Sequence, residues 1–365
     1  MEECWEKKPR NLGGSLPVPN VQDLAARPDH LTPTLLRRYL RPHHLPLPLP
    51  ADDHHAMAMI PVVDFARLHE DEEEAAKLRH ACEEWGFFQV INHGIADETV
   101  EEMKRDVMAF FNLPLADKAA FAQQPEWIEG YGQAFVTSED QTLDWSDLYF
   151  LTTQPPSYRD LRFWPPETSS TFRRSMDRYS VETQRVATEL LRAMARNLGL
   201  RDAHQMTRLA AAQSMRMNYY PPCPAKERDR VLGVSPHSDA VGLTLLLQVS
   251  PVKGLQIRRG EDWIPVDPIP GALVANVGDV IEMVTNGRYK SIEHRVVVDA
   301  AQERVSVAAF HNATFGSTYG PLEEMVGGGE ARYRSISVED YVRLVVSSKL
   351  QGKNILDAVK IAITT

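Results

Sequence analysis

The segment that decides the fold runs from Val234 to Ser306, and it contains Pro236-His237-Ser238-Asp239, Glu293-His294-Arg295 and Arg304-Val305-Ser306. His237 and Asp239 are two residues apart, so on a β-strand both side chains leave the same face. His294 follows Asp239 by fifty-five residues (294 − 239 = 55), which is far enough to return on another strand. Two imidazoles and one carboxylate on one side of an ion leave its opposite side open, as in the facial triad of non-haem Fe(II) oxygenases.

A candidate receptor for a carboxylate lies just downstream of these residues. Arg304 comes ten residues after His294 (304 − 294 = 10), and Ser306 lies two further on, again on one face of a strand. A guanidinium fork beside a hydroxyl binds a carboxylate well. The whole segment is therefore interpreted as a metal site together with the anchor of a dicarboxylate co-substrate.

The composition of the chain excludes several other classes of protein. The 365 residues include 40 basic and 50 acidic side chains, a net charge of −10 with no basic runs, which argues against nucleic acid or an anionic membrane as partner. The three cysteines, Cys4, Cys82 and Cys223, have neither disulfide nor zinc-finger spacing. The N-terminus has no apolar signal region, so we expect a cytoplasmic protein. We also expect a monomer or a weak homo-oligomer.

The chain divides into four regions by composition and periodicity. Residues 1–57 form a Pro-rich extension, residues 58–211 a mixed helical region, residues 212–320 a strand-rich catalytic core and residues 321–365 C-terminal helices. Helices are predicted over 72–85, over 97–111 with Asp97 as the cap, and over 168–198 with Gly199 as the end. Further helices are predicted over 337–350 and 355–361.

After residue 212 the apolar period becomes that of strands, punctuated by turn residues. Strands are predicted over 213–220, 231–237, 242–249, 254–258, 263–266, 272–277, 280–285, 292–298 and 304–311. Many short strands at this spacing predict a sandwich or a barrel. The predicted fold is mainly β with surrounding helices.

The residue types of the candidate site suggest a specific reaction. Fe(II) with three protein ligands keeps three free positions, of which a 2-oxo acid takes two and O2 the third. Arg304 and Ser306 would then bind the far carboxylate of 2-oxoglutarate, and its oxidative decarboxylation would yield succinate and CO2. Arg216, Asn218 and Tyr220 alternate on one face of the strand before Pro221-Pro222. As buried polar groups they would need partners, which a bound co-substrate supplies, although an ordinary edge strand would explain Asn218 and Tyr220 equally well.

Several motifs resemble those of the plant 2-oxoglutarate- and Fe(II)-dependent dioxygenases, in the senescence-related, codeine O-demethylase-like branch. They lie between Ile60 and the C-terminus and comprise Ile60-Pro61-Val62-Val63-Asp64, Trp85-Gly86-Phe87-Phe88-Gln89-Val90-Ile91-Asn92-His93-Gly94, Met217-Asn218-Tyr219-Tyr220-Pro221-Pro222-Cys223-Pro224, Pro236-His237-Ser238-Asp239, Asn276-Val277-Gly278-Asp279, Glu293-His294-Arg295 and Arg304-Val305-Ser306. The resemblance extends to Lys349-Leu350-Gln351-Gly352-Lys353 near the C-terminus.

This resemblance implies a double-stranded β-helix, or jelly roll. It implies that His237, Asp239 and His294 are the iron ligands, with Arg304 and Ser306 on 2-oxoglutarate, helped by Asn218 and Tyr220. It also implies hydroxylation, demethylation or desaturation of a small plant molecule, with ascorbate as a possible reductant. Three aromatic residues are candidates for the substrate pocket: Phe310, Phe135 and Tyr149.

Three alternatives stay open at this stage. An oxidase could use the same triad with ascorbate in place of 2-oxoglutarate, and succinate production separates the two. A jelly roll could bind a small molecule without turnover. A zinc hydrolase could use two histidines and a carboxylate, but it would leave Arg304 and Ser306 without a purpose.

Overall fold

Two mainly antiparallel sheets face each other in the computed structural model of the protein. The structure describes residues 15–42, 59–125, 127–133, 136–166, 171–224, 226, 228–348 and 351–361. The strands are β1 Val62–Asp64, β2 Phe87–Ile91, β3 Gly130–Gly132, β4 Asp147–Gln154, β5 Ala212–Tyr220, β6 Leu232–His237, β7 Leu243–Gln248, β8 Leu255–Arg259, β9 Asp262–Pro265, β10 Leu273–Val277, β11 His294–Val297, β12 Arg304–Asn312, β13 Thr318–Tyr319 and β14 Ile336–Ser337. The larger sheet has the order β1-β2-β10-β7-β12-β5-β4-β3, and the smaller one has the order β6-β11-β8-β9. This is the predicted jelly roll.

Helices cover the outside of the larger sheet. The α-helices are α1 Val21–Ala26, α2 Pro33–Arg37, α3 Glu72–His80, α4 Asp97–Phe111, α5 Leu115–Ala119, α6 Phe172–Leu198, α7 His204–Thr207, α8 Asp279–Val284, α9 Glu323–Val326, α10 Val338–Ser347 and α11 Asn354–Asp357. Short 3-10 turns occur at Pro28–His30, Phe65–Arg67, Pro156–Tyr158, Leu161–Phe163, Arg208–Ala210 and Arg228–Arg230.

The alternation of side chains along β5 divides the molecule into an outer and an inner core. Met215, Met217 and Tyr219 leave the outer face and belong to the large hydrophobic cluster that includes α4 and α6. Tyr220 leaves the opposite face and joins a smaller cluster between the two sheets. Because successive strand residues point to opposite faces, Arg216 and Asn218 share the inner face with Tyr220.

The long helix α6 confirms its sequence prediction. It spans 27 residues and buries one stripe against the sheet, with Met176, Val186 and Leu190 fully buried. Gly199 ends it in the left-handed conformation at φ 71°, which glycine adopts without a steric penalty. Its start differs from the prediction, since Phe172 is its first residue.

One strand prediction is wrong, and one long strand of the larger sheet was not predicted. The strand predicted over 280–285 is replaced by helix α8, which spans Asp279–Val284. A short apolar run fits either structure, and Asp279 and Glu282 supply the acidic first turn that a helix favours. The long strand β4 was not predicted, since all eight of its residues are buried or half-buried without a clean alternation. Four strands of the larger sheet therefore precede residue 212.

Two helix ends also differ from the prediction. The helix that begins at Glu72 becomes a π-helical turn at Ala81–Trp85, after which Gly86 turns the chain at φ 62°. A side chain at Gly86 would meet the carbonyl oxygen of Lys290 at 2.3 Å, so only glycine fits. Helix α4 has Ala96 at its N-cap, with Asp97 as its first residue.

Part of the N-terminal extension packs on the body. Val21 and Tyr39 are fully buried in a cluster with Trp145. The carboxylate of Asp147 accepts hydrogen bonds from the backbone N–H groups of Val21 and Gln22, which satisfies donors at the start of α1. The predicted linker 45–50 and the histidines at 43, 44, 54 and 55 lie outside the described residues.

Candidate metal and co-substrate site

Strand pairing brings the two candidate histidines together. His237 at the end of β6 is the direct antiparallel partner of His294 at the start of β11. The potential ligand atoms of His237, Asp239 and His294 all lie within 4.8 Å of one another. Nε2 of His237 is 3.5 Å, and Nε2 of His294 is 3.6 Å, from Oδ1 of Asp239. All three side chains are buried.

Hydrogen bonds to backbone carbonyl oxygens orient both imidazoles. Nδ1 of His237 lies 2.9 Å from the carbonyl oxygen of Ser235, and Nδ1 of His294 lies 3.3 Å from that of Ile292. A carbonyl only accepts, so each Nδ1 carries the proton and donates it. Both Nε2 lone pairs are thereby left facing the cluster, which is the arrangement that a metal ion requires.

The carboxylate of Asp239 is fixed in the same way. Its Oδ2 accepts hydrogen bonds from Oγ1 of Thr244 at 2.6 Å and from Nδ2 of Asn276 at 2.8 Å. Its Oδ1 remains directed toward the two imidazoles. One oxygen is therefore held by the protein, while the other is available to an ion.

The electrostatics of the cluster favour the ligand forms of these groups. Burial opposes ionisation of Asp239, but the imidazoles of His294 and His237 and the bond from Thr244 outweigh it and hold the pKa of the carboxyl well below its usual range. Burial, reinforced by His237, lowers the pKa of His294 to about 4. At neutral pH the cluster thus offers a carboxylate and a neutral His294 imidazole, the donor set that suits Fe(II).

A small chamber of about 50 Å³ extends from the cluster into the space between the sheets. Cross-strand pairs on β5 and β12 form its floor, with Tyr220 opposite Arg304 and Asn218 opposite Ser306. All four side chains line the chamber, as does the cluster itself. The structure therefore brings together the residues predicted to bind metal and those predicted to bind the co-substrate.

Arg304 provides a buried positive charge at the end of this chamber. Its guanidinium donates to Oε1 of Gln248 at 2.8 Å and to Oγ of Ser306 at 3.3 Å, and it lies over the ring of Tyr220. Its Nε has no partner, and no carboxylate of the described residues forms an ion pair with it. Burial lowers the pKa of this guanidinium. An anion bound here would offset that cost, so the chamber fits a carboxylate ligand.

A second, larger cavity of about 210 Å³ opens on the other side of the cluster. Both spaces are lined by His237, Asp239, Arg216 and Phe310, so the His-Asp-His cluster lies where the two meet. The remaining wall is largely apolar and rich in rings, from Phe150, Tyr158, Phe315, Tyr319 and Tyr341.

The three predicted pocket aromatics have different positions. Phe310 lines the cavity. Tyr149 does not, because it lies on the outer face of β4, where it stacks on Phe110 at 4.1 Å and donates its hydroxyl to the carbonyl oxygen of Phe163. Its neighbour Phe150 points to the cavity instead, since adjacent strand residues leave opposite faces. Phe135 lies outside the described residues.

Several residues of the site were not identified from the sequence. Thr244 and Asn276 hold Asp239, and Gln248 holds Arg304. Thr244 and Gln248 have the even spacing that puts them on the same strand face, which is the signal that would have indicated them. Helix α10 also lines the larger cavity, through Val338, Tyr341, Val342, Val345 and Val346.

Comparison with known proteins agrees with this geometry. Residues 60–167 match the family described as non-haem dioxygenase in morphine synthesis N-terminal, and residues 211–313 match the 2OG-Fe(II) oxygenase superfamily. S-norcoclaurine synthase 1 of Coptis japonica is 46% identical over 96% of this chain and 98% of its own length. Codeine O-demethylase of Papaver somniferum is 38% identical over 95% of this chain and 97% of its own length.

A solved structure extends the likeness to the whole fold. JOX2, crystallised in complex with 2OG, Fe and JA, superposes with a TM-score of 0.85 at 34% identity, covering 95% of this chain and 99% of that one. A jelly roll that carries two histidines and a carboxylate beside a carboxylate receptor is typical of non-haem Fe(II) oxygenases. This chain belongs to the 2-oxoglutarate- and Fe(II)-dependent oxygenase superfamily. It is a dioxygenase that uses Fe(II) and 2-oxoglutarate. No helix among the described residues is both long and apolar enough to cross a bilayer.

Proposed function

We propose that His237, Asp239 and His294 hold the Fe(II), and that Arg304 and Ser306 bind the distal carboxylate of 2-oxoglutarate, with Asn218 and Tyr220 lining its chamber. The observation that carries this proposal is the buried guanidinium of Arg304, which has no anionic partner among the described residues and lies in a chamber that opens on the triad. A dicarboxylate would span these two sites.

In this proposal each residue has a defined task. Fe(II) would supply the activation of O2, which couples the decarboxylation of 2-oxoglutarate to oxidation of a C–H bond in the substrate. Thr244 and Asn276 keep one oxygen of Asp239 occupied, so that the other faces the ion. Arg304 orients the co-substrate by a charge-assisted contact. The largely apolar wall of the larger cavity excludes water from the reacting groups.

The larger cavity is proposed to take the organic substrate, a small molecule of plant specialised or hormone metabolism that is hydroxylated, demethylated or desaturated. Relatives named for norcoclaurine synthesis and codeine demethylation support this substrate range. The aromatic walls favour a ring-containing molecule. Two buried donors at the cavity, Nε of Arg216 and the hydroxyl of Tyr341, have no hydrogen-bond partner and favour a substrate that carries an acceptor oxygen.

The test is the release of succinate from 2-oxoglutarate by the Fe(II)-loaded protein under air, across a panel of ring-containing plant molecules. We expect succinate that depends on one of the substrates and is lost in Arg304→Met. Product formed with ascorbate but without 2-oxoglutarate would instead favour the ascorbate-dependent oxidase. Tight binding of a panel compound without any succinate would favour a binding protein.

The enzyme is further proposed to act in the cytoplasm as a monomer or weak homo-oligomer, without nucleic acid or membrane as a partner. Its net charge of −10 disfavours anionic surfaces, and both described cysteines, Cys82 and Cys223, are buried. Fluorescent fusion imaging and light scattering test the two statements, and a membrane-bound or stably oligomeric protein would contradict them.

A further inference from the structure

The C-terminal segment contacts the strand that carries the first metal ligand. The backbone N–H of Gly352 donates to the carbonyl oxygen of Pro236 at 2.9 Å, and the N–H of Ser238 donates to the carbonyl oxygen of Gly352 at 3.0 Å. These bonds form a parallel bridge between Gly352 and His237. Strand β6 is an edge strand of the smaller sheet, so Gly352 occupies polar groups of an otherwise open edge.

The backbone conformation at this bridge favours glycine. Gly352 has φ 56°, and a Cβ there would lie 2.9 Å from Oε1 of Glu293, the residue before His294. The segment is therefore in close contact with both parts of the chain that carry the triad.

The next residue, Lys353, reaches the segment that precedes His294. Its ammonium group donates to Oε2 of Glu282 at 2.7 Å and to the carbonyl oxygen of Ser291 at 2.8 Å. The same Oε2 accepts from the N–H of Ser291 at 2.7 Å. Glu282 is held from its other oxygen by the hydroxyl of Tyr333 at 2.9 Å. The side chain of Glu282 is only 9% exposed and that of Lys353 25%, so this ion pair is more strongly shielded than a surface pair.

A further chain of bonds connects this network to the carboxylate ligand. The hydroxyl of Ser291 donates to Oδ1 of Asp279 at 2.7 Å. The N–H of Asp279 in turn donates to the carbonyl oxygen of Asp239 at 2.8 Å. The Lys353 network thus reaches the backbone of Asp239, while Gly352 contacts the residues on either side of His237 and Lys353 contacts Ser291, three residues before His294.

The same segment follows the helix that lines the larger cavity. Helix α10 contributes apolar residues to the wall of that cavity and ends at Ser347, shortly before Gly352. The bridge at Gly352 fixes the chain five residues after the end of α10 (352 − 347 = 5), so we expect it to limit where the end of α10 can lie. We propose that Gly352, Lys353, Glu282 and Ser291 form a C-terminal clasp, which positions both the metal ligands and the α10 wall of the substrate cavity. This inference rests on the proposed function, because the role of the triad in metal binding is part of it.

The clasp can be tested without knowing the organic substrate. The full-length protein is loaded with Co(II), whose visible absorption reports ligand geometry, and amide hydrogen exchange is followed at Ser238. In Lys353→Met we expect an altered Co(II) spectrum and exchange at Ser238 that is roughly tenfold faster or more, because a charge-assisted hydrogen bond is lost. Lys353→Arg keeps the positive charge and should restore the wild-type Co(II) spectrum and the wild-type exchange rate at Ser238. If Lys353→Met acted only by a general loss of packing, the arginine would not restore them.

The matched control is Lys360→Met, which removes an exposed lysine paired with Asp357 in the same C-terminal region. It should leave the spectrum and the exchange rate unchanged. If Lys353→Met fails to fold, Gly352→Ala tests the same clasp through its contact with Glu293. Wild-type values in the folded clasp variants, or equal changes in Lys360→Met, would overturn the proposal. Failure of the wild-type protein to bind Co(II) would refute the proposed metal site, while the exchange comparison would still test the clasp.

Discussion

Replacing Arg304 by methionine should weaken 2-oxoglutarate binding while leaving the His-Asp-His cluster in place. The guanidinium is 3% exposed and has no carboxylate partner among the described residues, so its charge is available to a ligand. Hydrogen bonds to a charged group contribute about 1.5–3 kcal/mol each. Loss of one such bond corresponds to a dissociation constant raised about 10- to 150-fold, since 1.4 kcal/mol is a factor of ten.

The assay is ligand-induced stabilisation, with Mn(II) in place of Fe(II) under nitrogen to prevent turnover. At a 2-oxoglutarate concentration of 100 times the wild-type dissociation constant, the ligand should raise the free energy of unfolding by about 2.7 kcal/mol. For a variant that binds about 100-fold more weakly, the same concentration should give only about 0.4 kcal/mol.

Arg295→Met is the matched control. Arg295 is also a buried arginine, 2% exposed, but it donates to Gln256 and lies over Trp263 rather than in the chamber. It should change the stability of the protein without changing the 2-oxoglutarate affinity. Equal affinity in Arg304→Met and the wild type, or an equal loss in both variants, would refute the assignment of Arg304.

Three further predictions concern pH and the substrate cavity. Burial lowers the pKa of His311 to about 4, so between that value and the ordinary 6.5 the unfolded state binds more protons than the folded state. The free energy of unfolding should therefore fall by roughly 3 kcal/mol as the pH drops through this window. His311→Gln should make this decrease smaller, as measured by urea titrations at several pH values. Phe150→Ala should lower kcat/KM for the organic substrate, because Phe150 faces the cavity. Tyr149→Phe should lower the free energy of unfolding by about 1 kcal/mol and leave kcat/KM unchanged. A lower kcat/KM in Tyr149→Phe with an unchanged value in Phe150→Ala would contradict the opposite orientations of the two side chains. Arg216→Met should raise KM for the organic substrate, and a raised dissociation constant for 2-oxoglutarate at an unchanged KM would instead show that Arg216 acts on the co-substrate.

The candidate site was predictable from the sequence because its chemistry lies on strands. Arg304 and Ser306 are two residues apart, and so are Asn218 and Tyr220, which places each pair on one strand face whatever the rest of the fold does. The pairing of β5 with β12, which sets Arg304 opposite Tyr220, depends on long-range register. The spacing of residues within one strand does not predict which residues of another strand they pair with.

The errors have the same physical origin. Tyr149 and Phe150 differ only in which face of β4 they occupy, and a strand that was not predicted has no assigned faces. The apolar run of α8 is too short to distinguish a buried helix from a buried strand. The contacts of Lys353 join residues distant in the chain, so its partners Glu282 and Ser291 could be found only in the folded structure.

The most direct test of the account is the amount of Fe(II) bound at equilibrium by the wild type and by Asp239→Ala, measured under nitrogen. Asp106→Ala is the control, because Asp106 is also a buried, hydrogen-bonded carboxylate but contacts Ser175 and Thr171 instead of the triad. We expect about one iron per chain in the wild type and in Asp106→Ala, and none in folded Asp239→Ala. Full iron occupancy in Asp239→Ala would contradict the assignment of His237, Asp239 and His294 as the metal site.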